Sequence, residues 1–79
     1  MVYPNPTNGY LIVAYDLEGK QTGTIEISDM TGKLMDKRVV NQTKDQLTFV
    51  VKEWKTGTYI VSLKNDGKLI ESCKFTVVN

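Results

Sequence analysis

The chemistry open to this chain is bounded by its side chains: nine acidic residues, one thiol and no imidazole. Without histidine, and with Cys73 alone, it cannot assemble a Cys/His zinc site, an intrachain disulfide or a Ser-His-Asp triad. Cys73 has no histidine to lower its pKa and shares a predicted strand face with Phe75 and Val77, so it reads as a core residue and not as a nucleophile. Asp16, Glu18, Asp29 and Asp66 fall at predicted turns. They lack the Asp-x-Asp-x-Asp spacing of a calcium loop, so turn stabilisation is their expected work. Paired carboxylates for glycoside hydrolysis are not excluded by spacing, yet a chain this short has little core to carve into a cleft. Tyr3, Tyr10, Tyr15, Trp54 and Tyr59 would form a platform for sugar rings if several lay exposed on one sheet face; most are expected in the core or at its rim. Asn41-Gln42-Thr43 matches the N-glycosylation triplet, which has meaning only in a glycosylating compartment. No catalytic, cofactor-binding or metal-binding residue is expected.

The elements that position these residues must come from a single domain, because 79 residues are too few for two. With 41% hydrophobic and 24% charged residues the composition is that of a folded globular chain. Ten basic residues against nine acidic ones, without a block of like charge, carry no electrostatic footprint for nucleic acid or an anionic membrane. The longest apolar stretch, Leu11 to Tyr15, is far short of the ~20 residues of a membrane helix, and the N-terminus lacks the basic-then-apolar form of a signal peptide. Met1 reads as a cloned start.

Along the chain, residues 1–9 hold both prolines and two asparagines and predict an extended lead-in, with Val2-Tyr3 as a possible extra strand. Leu11 to Tyr15 is apolar at odd and even positions alike, which predicts a central strand buried on both faces. Asp16 to Gly23 has the composition of a hairpin loop. Thr24 to Asp29 alternates, with Ile25 and Ile27 on one face, and Asp29-Met30-Thr31-Gly32 has the chemistry of a type I turn or short bulged hairpin. Lys33 to Val40, with four charges, predicts an edge strand, and Asn41 to Asp45 a polar connection. Leu47, Phe49 and Val51 share a face of the next strand. Thr58 to Leu63 follows, with Tyr59, Val61 and Leu63 inward. Asp66-Gly67 suits a primed hairpin turn into a last strand, Lys68 to Val77, on which Leu69, Glu71, Cys73, Phe75 and Val77 share one side. Six to seven strands, turn signals about every ten residues and no helical window predict an all-β fold: a small antiparallel β-sandwich, immunoglobulin-like.

Four segments in order carry a resemblance. Tyr3-Pro4-Asn5-Pro6-Thr7-Asn8-Gly9 resembles the opening "YPNP" signature of the type IX secretion system C-terminal sorting domain, type A, of Bacteroidetes. Ile25 to Gly32 is similar to that family's "I-x-I-x-D-x-x-G" hairpin, Gly57 to Leu63 to its "G-x-Y-x-V-x-L" strand, and Lys74-Phe75-Thr76-Val77 to its closing strand. The likeness spans nearly the whole chain. It departs where Leu47 to Trp54 replaces a leucine-rich stretch, and at Val77-Val78-Asn79, which lacks a basic final residue.

The resemblance implies that residues 1–79 form one sorting domain that directs a larger passenger across the outer membrane to the cell surface or the medium, through a translocon and its carrier proteins. It further implies that a sortase-like peptidase removes the domain at a bond N-terminal to it, with surface attachment of the passenger. The motif residues it singles out are Tyr3, Pro4, Asn5, Pro6, Gly9, Asp29, Gly32, Gly57, Tyr59, Val61, Lys74, Phe75 and Val77. Gly32 and Gly57 are expected in turns, and Tyr59, Val61, Phe75 and Val77 in the core. An exposed edge, or the last strand from Lys68 to Asn79, is expected to pair with the machinery by strand addition. The competing reading is a carbohydrate-binding or adhesive β-sandwich using Tyr10, Tyr15 or Trp54.

Overall fold

Apolar alternation resolves into seven strands and no helix in the computed structural model, which describes residues 1–79. In chain order they are β1 (Val2–Tyr3), β2 (Tyr10–Asp16), β3 (Gly23–Asp29), β4 (Leu34–Val40), β5 (Lys44–Val50), β6 (Gly57–Asn65) and β7 (Lys68–Val77). They form two antiparallel sheets, β1-β2-β5 and β4-β3-β6-β7, face to face over one core of 14 buried residues. This three-plus-four division is that of an immunoglobulin-like sandwich in which β4 joins the sheet of β3, β6 and β7.

The short lead-in strand exists, and β2 is central as expected. Its two faces differ, however: Leu11, Val13 and Tyr15 are buried, whereas Ile12 and Ala14 are only half-covered because the far side of this sheet faces solvent. Asp16 to Gly23 is not a hairpin, since β2 pairs with β1 and β5 and never with β3. The segment instead carries the chain from one sheet to the other, with Leu17 fully buried at the crossing. The sequence had placed Leu17 in a loop, where its polar neighbours masked it. Asn41 to Asp45 is likewise shorter as a connection than expected, because β5 already starts at Lys44.

The turns expected at Asp29–Gly32 and at Asp66-Gly67 are present. At Asp29-Gly32 the Gly32 amide donates to the Asp29 carbonyl at 3.1 Å, and the Asp29 amide to the Lys33 carbonyl at 2.9 Å. Gly32 has φ +91°, so this is a type I turn closed by a glycine bulge, and a side chain there would be strained. Asp66 and Gly67 both have positive φ, the primed turn that the twist of β6 and β7 requires.

Tyr59, near the start of β6, donates its hydroxyl to the Lys55 carbonyl four residues upstream at 2.6 Å. A tyrosine so placed in this strand ties down the loop before it, the tyrosine corner of immunoglobulin-like sandwiches. It accounts for the Tyr59 position of the "G-x-Y" motif. The Trp54 ring, in that loop, is tilted against the Tyr59 ring with centroids 5.1 Å apart, and the Phe75 ring stacks on Tyr59 at 5.6 Å.

The two open sides of the sandwich are closed differently. On one, the Arg38 guanidinium of β4 reaches across to donate to the Thr48 carbonyl of β5 at 3.1 Å and lies 4.2 Å above the Phe49 ring. On the other, the lead-in leaves β2 after Tyr3 and crosses to β7, where Thr7 forms a parallel bridge to Val77.

Candidate recognition surface at the proline end

β2 runs away from residues 4–9, β3 runs toward Asp29, β6 away from Gly57 and β7 toward Val77. These directions bring four segments to one end of the sandwich: the proline lead-in, the Asp29–Gly32 turn, the Val51–Thr56 loop and the C-terminal residues. The motif residues Tyr3, Pro4, Asn5, Pro6, Gly9, Asp29, Gly32, Gly57, Tyr59, Lys74, Phe75 and Val77 therefore lie in this half of the molecule, and Val61 at the midpoint of β6, although they span the chain. The opposite end, built from 17–22, 41–43 and Asp66-Gly67, contains none.

Backbone hydrogen bonding locks the proline end. The Thr7 amide donates to the Thr76 carbonyl at 2.9 Å, and the Val78 amide to the Thr7 carbonyl at 2.8 Å. The Thr76 amide donates to Asn5 Oδ1 at 3.0 Å, so the asparagine side chain satisfies an edge amide of β7. Thr7, 3% exposed, is the one buried residue of the core region with a polar side chain, and its hydroxyl donates to the Tyr10 carbonyl. The Gly9 carbonyl accepts from the Val51 amide at 2.9 Å.

The last residue is held as firmly. Thr56 Oγ1 donates to the Asn79 carbonyl at 3.0 Å and accepts from the Asn79 amide at 2.9 Å. The Asn79 side-chain amide reaches the Val51 and Trp54 carbonyls. Terminal residues of a domain usually fray unless so tied. Sequence reasoning did not find the roles of Thr7, Thr56 and Asn79; the only signal was a hydroxyl or amide beside a motif, too common to read without a partner.

Asp29 Oδ1 accepts from the Thr31 hydroxyl at 2.6 Å and from the Thr31 and Lys33 amides, each at 2.9 Å. The Thr31 hydrogen bond, aided by the Lys33 and Thr31 amides, lowers the Asp29 pKa. A lowered folded pKa means stabilisation present above the unfolded value of about 3.9 and lost as the pH falls through the folded one. Thermal midpoints of the wild type and Asp29→Asn are therefore expected to differ at neutral pH and to converge in acid. A constant difference down to the acid limit would show that the carboxylate charge is not what holds the turn.

The motif residues divide in two. Asn5, Asp29, Gly32, Tyr59, Val61, Phe75 and Val77 have identifiable work inside the fold. Pro4 and Pro6 are exposed and line a surface depression with Asn8 and Val78. Lys74 is exposed on β7 and forms no ion pair. Gly9 and Gly57 have neither a left-handed φ nor any atom within 4 Å of an added Cβ. Contrary to the turn expected from the sequence, Gly57 is the first residue of β6, paired with Val77. Tyr3 lies on the outer face of the β1-β2-β5 sheet with its hydroxyl donating to Gln46 Oε1 at 3.0 Å, and Tyr10 is exposed on the same face. Tyr15 and Tyr59 are core, and Trp54 packs half-buried against it.

Cys73 is not a core residue. It is half-buried at the rim between the sheets, where desolvation pushes its thiol pKa up, the reverse of an activated nucleophile. The β6–β7 register shift between Leu63 and Lys64 turns Leu69 off the inward face expected for it and leaves it 59% exposed, whereas Glu71 stays opposite the buried Leu63 and is exposed because β7 is the edge strand of its sheet. No group of three metal-ligating side chains converges anywhere.

All 79 residues match the family described as "Secretion system C-terminal sorting domain". No curated protein and no solved structure gives a match.

Proposed function

Because the chain belongs to the family of type IX secretion C-terminal sorting domains, we propose that it is the export address of a larger protein and that the secretion machinery reads it at the proline end. The observation that carries this reading is the division of the motif. A fold alone would explain Tyr59 or Phe75, but it gives no work to Pro4, Pro6, Gly9, Gly57 and Lys74, which all lie in the same half. Glycines without an internal steric need suit a site where another chain's backbone approaches closely.

Topology suits the role. Met1 pairs with Ala14, past the middle of β2 and away from the proline end: its nitrogen donates to the Ala14 carbonyl and its carbonyl accepts from the Ala14 amide, each at 2.8 Å. A passenger joined ahead of Met1 would leave the proline end free for a translocon or carrier while still attached. A sortase-like peptidase would then reach the junction from the other side, releasing the passenger for surface attachment. The domain performs no reaction in this scheme.

The test is export of a reporter fused ahead of the domain, in a bacterium with a type IX system. Gly57→Ser with Lys74→Glu alters the exposed part of the motif without touching a packed contact. This pair is expected to lower export tenfold or more with an unchanged circular dichroism spectrum and urea midpoint. Undiminished export from the folded double variant would refute recognition at this end.

A further inference from the structure

The β7 edge is used along only half its length. Asn5 and Thr7 occupy it at Thr76 and Val78. Outward-facing backbone groups recur every second residue, so those of Ser72 and Lys74 point to the same side, and no non-ladder backbone bond reaches them. Beside this free stretch the two sheets gape. A shallow apolar cleft opens there between Val2, Val13 and Tyr15 on one sheet and Val61, Leu63 and Cys73 on the other. An adjoining open depression, which shares Ala14, Tyr15 and Glu71 with the cleft and forms its outer mouth, carries three carboxylates, Asp16, Asp45 and Glu71, against one cationic side chain, Lys44.

We infer that the free edge from Glu71 to Lys74 is an acceptor for one short extended polypeptide segment, added parallel to β7, with a small branched apolar residue in register with Cys73 and a basic residue two positions earlier. Only a peptide backbone offers donors and acceptors at the spacing the edge leaves open. The parallel direction follows from Thr7, which already pairs this edge in that sense. In a parallel pair, residues in register point to the same face. Thr7, in register with Val77, points into the core. A residue in register with Cys73 therefore points into the apolar cleft, and one in register with Glu71 meets the acidic mouth. The cleft is shallow, which suits valine better than an aromatic ring. The site adjoins the proline end and shares Lys74 with it, but it is read by binding of a free peptide, which does not depend on how the proline end is used in export.

The probe is an acetylated, amidated pentapeptide, Thr-Lys-Thr-Val-Thr, titrated into the ¹⁵N-labelled full chain. Amide shifts are expected at Ser72, Cys73 and Lys74, with binding at least fivefold weaker when the peptide's valine is replaced by Asp or its lysine by Glu. Ser72→Pro removes an amide that faces away from β6, so the variant is expected to keep its circular dichroism spectrum and lose binding. If that variant does not fold, the rate of Cys73 alkylation by iodoacetamide in the wild type decides: the peptide should slow it at least twofold. Absence of shifts at Ser72 and Lys74, equal binding of the Asp-bearing peptide, binding retained by folded Ser72→Pro, or unprotected Cys73 would each overturn the assignment.

Discussion

Phe75→Ala is expected to remove about 3–5 kcal/mol of stability, the usual cost of deleting a buried aromatic ring. Phe75 is 1% exposed, directly opposite Tyr59 in the ladder and stacked on its ring. A chain of this size has a total stability of about 4–12 kcal/mol, and its limited burial argues for the lower part of that range. At a urea dependence of about 1 kcal/mol per molar, the midpoint should fall by about 3–5 M or the folded baseline should vanish. Val50→Ala, at a position 62% exposed, serves as control and should change stability by less than about 0.5 kcal/mol. A loss below about 1 kcal/mol for Phe75→Ala would mean that the ring is not central to the core. The same result bears on function: removing Ser72 to Asn79 deletes Phe75 and Val77 together, so lost export after that truncation would report unfolding before it reported recognition.

The second large effect is expected at a glycine. Replacing glycine by alanine where the backbone permits it commonly stabilises by about 0.4–1 kcal/mol, through a less flexible unfolded chain. Gly23 should do the opposite. A Cβ there would sit 2.5 Å from Leu17 Cδ2 and 3.0 Å from the Lys64 carbonyl oxygen. Leu17 is fully buried at the crossing between the sheets and has nowhere to retreat, and the carbonyl belongs to the adjacent strand β6. Gly23→Ala is expected to cost about 1–3 kcal/mol, as overpacking does. Combining it with Leu17→Ala should cost less than the two changes taken separately, because the smaller side chain removes the clash. Strictly additive losses in chemical denaturation would show that Leu17 is not the obstacle.

Much of this molecule was legible before any coordinate. Period-two alternation located β3, β6 and β7, because a half-buried sheet writes its two faces into successive residues. Four charges marked β4 as an edge, and Asp-Gly and Asp-x-x-Gly marked turns whose φ values the structure bears out. These are local signals, and local physics suffices to read them. The errors arose where the partner is distant in sequence. A polar stretch with two glycines looks the same whether it reverses a strand within one sheet or carries it to the other, so neither the crossing after β2 nor the burial of Leu17 can be read from it.

The family motif could be listed from the sequence, but not what each residue does in it. Period alone placed Tyr59 inward; only the folded loop shows its hydroxyl closing on the Lys55 carbonyl. Asn5 and Thr7 are 71 and 69 positions from Thr76, at distances no periodicity can span, and it is tertiary pairing that makes them the clasp over the end of β7. The number of strands, their faces and most turns are thus determined by the order of residues, since each depends on neighbours a few positions apart. Which strands meet, which edge stays open and which motif residues are left without internal work are decided by the closed sandwich, since those depend on what burial brings together from opposite ends of the chain.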